Sequence, residues 1–180
     1  MSLGSALGWR GSVFAIWSTL QTSESRQMAA IMVRPFGRQD VGAVLALMRA
    51  LAVFEGYDDK FRLTEADLVE HGLGPSPRFG VLVAEQEDVI VGIAVHYIIP
   101  WTYDLQPVVW LKELYVAEAA RGMTVGHALV EQLRQYAIGI GASAIKWTVL
   151  KSNLPAKAFY RSLDGQPDEI WEPWKLKIDP

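Results

Sequence analysis

The sequence predicts an α/β fold with a mixed sheet, and three observations carry that expectation. Residues 108–116 form a β-branched, apolar run long enough for a buried strand, and a short small-residue segment then leads into a helical pattern. Residues 79–84 and 89–99 read as two strands folded about Gln86-Glu87-Asp88. Around these, amphipathic stretches alternate with shorter apolar runs, which gives the order β-α-α-β-β-β-α-β-α-β.

Taken in order, residues 31–35 read as a first strand that Pro35-Phe36-Gly37 ends. Asp40 is the expected N-cap of a helix to Phe54, with Val41, Val44, Leu45, Met48 and Leu51 on its buried face. Thr64-Glu65-Ala66-Asp67 is a capping box with Asp in place of the usual Glu, and it starts a second helix that ends near Gly72. The loop between them, residues 55–60, is rich in acid. Residues 100–107 are a loop holding Trp101 and Tyr103. A long helix then carries Val125, Leu129, Leu133, Tyr136, Ala137 and Ile140 at helical spacing. Residues 144–150 alternate Ile145, Trp147 and Val149 with Lys146, Thr148 and Leu150, which predicts a strand. A helix over 153–163, a turn at Asp164-Gly165 and a last strand over 171–178 follow. Residues 1–30 read as an extension or tag remnant with a short helix at 12–20, and Met28 or Met32 is the candidate start of the domain. Residues 31–180 then form a single domain without repeat or linker.

Composition narrows the function classes. Hydrophobic residues make up 51% of the chain and charged ones 21%, which fits a globular protein and not a disordered one. A net charge of -3 argues against a nucleic-acid binder. There is no cysteine, which excludes disulfides, thiolate metal sites and a cysteine nucleophile. His71, His96 and His127 lack metal-ligand spacing, so no metal is expected. No apolar run approaches the ~20 residues of a membrane span, and Val13 to Trp17 is too short for a signal core. A cytoplasmic protein is expected.

Chemistry first shows between Val108 and Ala128, where strand, tight loop and helix N-terminus follow one another. At the join stands Arg121-Gly122-Met123-Thr124-Val125-Gly126. The first turn of a helix presents N–H groups at the positive end of its dipole, and glycines let a phosphate come close to backbone. By itself such a loop is most often only a turn. Its weight comes from a second motif, Asn153-Leu154-Pro155-Ala156-Lys157-Ala158-Phe159-Tyr160.

Together the two motifs resemble the GNAT superfamily of acyl-CoA-dependent N-acetyltransferases. There, Arg/Gln-x-x-Gly-x-Gly/Ala follows a strand and Asn-x-x-Ala-x-x-Phe-Tyr opens a later helix. Thr124 stands where that family usually has its middle glycine. Ala52-Val53-Phe54-Glu55, Leu63 to Leu68, Leu111 to Val116 and Trp174-Lys175-Leu176 look like segments of spermidine/spermine (diamine) N-acetyltransferases, over residues 32–178. The resemblance implies a GNAT-type three-layer fold: a mixed, mostly antiparallel sheet flanked by helices, its fourth and fifth strands splayed. It also implies acetyl-CoA as cosubstrate, a small-molecule amine as acceptor and a homodimer. Seven tryptophans are in keeping with apolar surface to cover.

Acetyl transfer to an amine needs the donor held, the amine neutral, the oxyanion stabilised and the departing thiolate protonated. Carried over residue by residue, the resemblance lays the pantetheine arm along Leu114, Tyr115 and Val116. It puts the pyrophosphate on Arg121, Gly122, Met123, Thr124, Val125, Gly126 and His127, with Asn153 and Ala156 beside the donor. Tyr160 falls at the general acid that meets the CoA sulfur, and a phenol with pKa near ~10 suits that task. The competing reading of Phe159-Tyr160 is a core aromatic pair. Polyamine relatives usually carry Glu-Asp on the key strand, where this chain has Lys112-Glu113, so Glu113 is the candidate base. Phe54, Glu55, Lys112, Trp147 and Glu172 are implied at the acceptor. Lys112 leaves room for an acceptor bearing a carboxylate, such as an amino acid or a thialysine-like compound. Two other functions stay open: a non-catalytic acyl-CoA sensor, and protein lysine or N-terminal acetylation. The acid-rich loop disfavours the second of these.

Overall fold

Both faces of the central sheet are covered, as its middle strands require. The structure is a computed structural model that describes residues 30–122 and 124–178. Strands β1 (Met32–Pro35), β2 (Gly80–Gln86), β3 (Val89–Pro100), β4 (Pro107–Val116) and β5 (Ala144–Trp147) lie side by side in that order. The first four are antiparallel, and β5 joins β4 in parallel. In β2, Val81 and Val83 pack on one face while Leu82 and Ala84 pack on the other. A strand buried on both sides reads as continuous apolar sequence.

Helices α1 (Val41–Glu55) and α2 (Glu65–Gly72) cover the first face, where Val44, Met48 and Leu68 meet Val83, Ile93 and Val95. Helix α3 (Val125–Gly139) covers the second, setting Leu129, Leu133 and Ala137 against Ala84, Ala94, Val109 and Leu111. Fully burying each leucine contributes roughly 1.5–3 kcal/mol. A Cβ on Gly92 of β3 would lie 3.0 Å from Val125 and 3.1 Å from Leu129, so this glycine lets α3 sit close on the sheet. Helix α4 (Leu154–Arg161) lays Tyr160 on the margin of the second core. The expected three layers are present. Among the described residues no helix is long and apolar enough to cross a membrane.

The hairpin between β2 and β3 turns on Glu87 and Asp88, both with positive φ (51° and 62°). That is the two-residue geometry whose twist matches the strands. Thr64 opens α2 with the expected capping box: its hydroxyl accepts from the Asp67 N–H, and the Asp67 carboxylate accepts from the Thr64 N–H. Asp40 differs from expectation. It precedes α1, but its carboxylate accepts from the Gly37 N–H at 2.7 Å and from Arg34 at 2.6 and 3.0 Å. Asp40 ends a 3-10 turn (Arg38–Asp40) in helical conformation, so its side chain serves the turn before it and not the helix after it. Those Arg34 hydrogen bonds hold the Asp40 carboxyl below the usual carboxylate range, and Arg34 also clasps Glu85 on β2.

Two expected elements come out shorter or not at all, for one physical reason. A strand persists only where its backbone groups find a partner. β5 stops at Trp147, short of residue 150, because β4 turns away after Leu111. Residues 171–178 are not a strand. The helix expected at 12–20 and Met123 of the candidate pyrophosphate loop lie outside the described residues.

Candidate active site

β4 changes character at Lys112. Residues 108–111 pair with β3 on one side and β5 on the other, up to Leu111 opposite Trp147. On the β3 side, Glu113 then faces Val95 while Leu111 faces His96, so Lys112 is the extra residue of a β-bulge. Beyond it, residues 113–116 pair with β3 alone, and among the described residues no strand lies against their outer backbone edge. The expected splay is present, and the bulge marks where it begins.

The titratable groups gather on this open stretch. Glu113 sits opposite Val95, whose side chain packs in the α1/α2 layer, so Glu113 is on that face. Burial pushes its carboxyl up, Glu55 at the end of α1 adds to the rise, and Lys112 opposes it. The Tyr160 phenol is pushed up to about 12, mainly by burial and further by Glu55. Its ring stacks on Trp147 (centroids 4.7 Å, 34°) and meets Phe159 at 5.2 Å. Thus Tyr160 belongs to an aromatic cluster and also feels Glu55. Glu55 is the common neighbour: its charge acts on Glu113, which Lys112 opposes, and on Tyr160, which stacks on Trp147. Glu172 stands apart: it is exposed in the C-terminal segment, where its Oε1 accepts from Trp174 Nε1 at 2.7 Å.

Two residues join the group that sequence reasoning missed. Tyr57 is pushed up to about 12 by burial, Glu113 and Glu55. Tyr97 lies two positions along β3 from Val95, on the same face as Glu113, and burial followed by Glu113 raises it too. Tyr57 gave no signal beyond its place in the acid-rich loop. Tyr97 required the β3/β4 register, which the bulge conceals. His96, by contrast, faces α3: its ring lies 5.0 Å from that of Tyr136, and burial lowers its pKa.

The candidate donor loop does more than face solvent. Thr124 adopts left-handed backbone (φ 63°, ψ 0°) as the residue before α3, where a β-branched side chain is unusual. A Cβ on Gly122 would meet nothing within 4 Å, whereas one on Gly126 would lie 3.1 Å from Phe159. His127 continues that contact. Its ring is 5.0 Å from that of Phe159, and its Nε2 is 3.3 Å from Ser162 Oγ, which donates to the Phe159 carbonyl. Gly126 and His127 therefore press the first turn of α3 onto α4. Asn153 caps α4, its Oδ1 accepting from the Ala156 N–H at 3.0 Å. Arg121 folds back, donating from Nε to the Val116 carbonyl at 3.2 Å, with its guanidinium 5.5 Å from the Phe54 ring centroid and 5.6 Å from that of Tyr115. Leu114 and Val116 turn to the α3 layer and Tyr115 to the α1/α2 layer.

With that geometry in hand, comparison with known proteins decides the family. The acetyltransferase (GNAT) family profile matches residues 44–164. The chain belongs to the GNAT acetyltransferases. A thialysine N-epsilon-acetyltransferase of Bos taurus is 29% identical over 155 residues, covering 82% of this chain and 91% of that protein. Spermidine/spermine N(1)-acetyltransferase-like protein 1 of Homo sapiens is 32% identical over 144 residues, covering 73% of this chain and 20% of that protein. These relatives support the diamine-acetyltransferase-like branch. Among solved structures, an aminoglycoside acetyltransferase from an uncultured soil metagenomic sample, in complex with sisomicin, shares the fold. Its TM-score is 0.71 at 18% identity, over 83% of this chain and 97% of that one. A ribosomal-protein-alanine N-acetyltransferase from Brucella melitensis biovar Abortus 2308 does likewise, with TM-score 0.65 at 16% identity over 83% and 100%. GNAT neighbours named for such different acceptors show that the fold alone leaves the acceptor open.

Proposed function

We propose that this GNAT enzyme moves an acetyl group from acetyl-CoA to the primary amine of a small molecule, with Tyr160 as general acid and Glu113 as general base. The observation that carries the reading is that the bulge frees one edge of β4 while Glu113 on that stretch and Tyr160 on α4 both feel the charge of Glu55. Residues of this chain suit the donor. The edge over 114–116 has backbone groups to give, Gly122 leaves open space for a phosphate, and α3 points its N-terminus there. Acetyl-CoA supplies the acyl thioester.

Each step falls to a residue. Glu55 and Glu113 draw the acceptor ammonium by charge. The Glu113 carboxylate takes its proton, and burial makes it a stronger base than an exposed carboxylate. A β4 backbone N–H donates to the thioester oxygen. The nitrogen bonds to the carbonyl carbon, the carbon–sulfur bond breaks, Tyr160 Oη gives its proton to the sulfur, and the second proton that the nitrogen sheds in becoming an amide restores the phenol. A phenol pushed up to about 12 keeps that proton throughout the neutral range.

Lys112 bears on which amine. It stands next to Glu113 and opposes its rise, so the acceptor wall carries both signs of charge. A diamine would bring a second ammonium toward a cation, while a basic amino acid would bring a carboxylate. The relative named for thialysine is in keeping with the second choice. Free-thiol release with acetyl-CoA tests the reading, using L-lysine against pentane-1,5-diamine, which differs only in lacking the carboxylate. Thiol release with both, faster with lysine, is expected, and Lys112→Glu should reverse the preference. Failure to release thiol with any primary amine would overturn the reading.

A further inference from the structure

Helix α1 leaves the core before it ends. Met48, Leu51 and Ala52 are buried, whereas Val53 and Phe54 in the last turn are 60% and 57% exposed. Gly56 closes the helix in left-handed backbone (φ 74°), its N–H donating to the Ala52 and Val53 carbonyls, and the Tyr57 N–H donates to the Ala52 carbonyl at 2.9 Å. Such a cap stops a helix without pressing its last turn onto anything. Glu55 is the last residue of that turn, and its charge reaches both Glu113 and Tyr160.

A side chain from beyond the far end of β4 reaches the same turn. Arg121 follows the 3-10 turn at Glu118–Ala120 in extended backbone, and its Nε donates to the Val116 carbonyl at 3.2 Å. The Ala117 N–H donates to the Val91 carbonyl at 2.8 Å. In an antiparallel pairing the next residue back, Val116, then turns its backbone groups away from β3, toward the open edge. Anchored on that edge, the Arg121 guanidinium lies over two rings at once, 5.6 Å from the centroid of Tyr115 and 5.5 Å from that of Phe54. Tyr115 packs in the α1/α2 layer, so the guanidinium joins a ring fixed on the sheet to a ring on the exposed turn of α1. A flat, delocalised cation between aromatic rings suits arginine better than lysine, whereas a phosphate can be met by either.

We propose that Arg121 is a positioning residue for the acceptor side: it holds the Phe54 ring, and with it Glu55, beside β4. Resemblance alone puts Arg121 on the pyrophosphate, a role in which neither ring has a part. The bracket stands whatever the enzyme acetylates; only its effect on an acceptor rests on the function proposed above.

Hydrogen exchange on the donor-free protein, with lysine kinetics beside it, tests this. In Arg121→Lys, which keeps the charge and loses the flat face, the Gly56 and Tyr57 amides should exchange about two- to five-fold faster, the worth of an exposed cation–π contact. The KM for L-lysine should rise by a similar factor, more than kcat falls, while the thermal shift with acetyl-CoA persists. Phe54→Leu should reproduce the exchange and KM changes, and Phe54→Tyr, which keeps the ring, should show neither. Combining Arg121→Lys with Phe54→Leu should be no worse than either alone. Unchanged exchange in Arg121→Lys overturns the proposal, and a lost acetyl-CoA shift alongside it would leave Arg121 a pyrophosphate ligand only. Additive losses in the double variant overturn it equally, since each residue would then act alone. If no amine is acetylated, the exchange result still decides the bracket, and the proposed function fails by itself.

Discussion

The two halves of β4 are alike in sequence and opposite in use. Residues 108–111 are held by strands on both sides, and Val109 and Leu111 are buried in the α3 core. Residues 113–116 follow one bulge later, keep a single neighbour, and carry the half-buried Glu113, whose charge acts on Tyr57 and Tyr97 and meets that of Glu55. The first half fixes where the second half points. One inserted residue, Lys112, converts a scaffold strand into a candidate catalytic edge. Substitutions on either side of the bulge should therefore separate stability from activity.

Tyr160→Phe should show the largest effect on the active side. It keeps the stacking on Trp147 and Phe159 and removes only the hydroxyl, so kcat should fall about 10²–10⁴-fold with little change in acetyl-CoA affinity. Steady-state kinetics and a thermal shift with acetyl-CoA check the two halves of that statement. Near-normal kcat would return Tyr160 to the role of a core aromatic.

Leu111→Ala is the counterpart on the scaffold side. At 3% exposure its truncation leaves a cavity and should lower stability by about 2–5 kcal/mol in urea denaturation. Below its melting temperature the variant should keep kcat within a few-fold. A folded Leu111→Ala enzyme without activity would break the division between the two halves.

Glu113→Gln should do both, in opposite directions. A carboxyl whose folded-state pKa is raised favours the folded state below its unfolded pKa, and that contribution is lost as pH rises through the folded value. Above that raised value the ionised Glu113, desolvated and repelled by Glu55, is therefore a burden, and glutamine should raise the melting temperature there. Activity should fall by about 10²-fold, since the base is gone. The wild-type pH profile should decline as pH drops through the raised Glu113 pKa, and the variant should lack that limb. A lower melting temperature above that value together with full activity would contradict both assignments.

What could be read in the sequence follows from what each signal encodes. Periodicity found α3 and β4 because both bury a regular face, and the Thr64-Asp67 capping box marked α2 by local hydrogen bonding alone. The same periodicity predicted a strand at 171–178 because alternation states suitability for a sheet and says nothing about the partner. Glu113, Glu55 and Tyr160 were legible through motif resemblance. Tyr57 and Tyr97 were not, because their nearness to Glu113 depends on a loop path and on the bulge register. Lys112 read as a replaced acid, and only the pairing pattern shows it to be the bulge itself. Asp40 was placed correctly and misassigned in role, since sequence does not reveal Arg34 reaching across to it.

The smallest predicted effect lies where β4 hands over to α3. Thr124 holds φ 63° and ψ 0°, a conformation that costs an L-residue roughly 1–2 kcal/mol and a β-branched one no less. Glycine adopts it freely but loses more entropy on folding, roughly 0.5–1 kcal/mol in ordered structure. The two terms oppose, and the strain is the larger, so Thr124→Gly should raise stability by about 0.5–1 kcal/mol. Removing the Cβ also widens the approach to the first turn of α3, so acetyl-CoA affinity should rise modestly, by a few-fold. Urea denaturation and ligand-dependent melting read the two effects separately. A variant that is less stable and binds acetyl-CoA more weakly would mean that the threonine hydroxyl contributes more at this loop than its backbone strain costs.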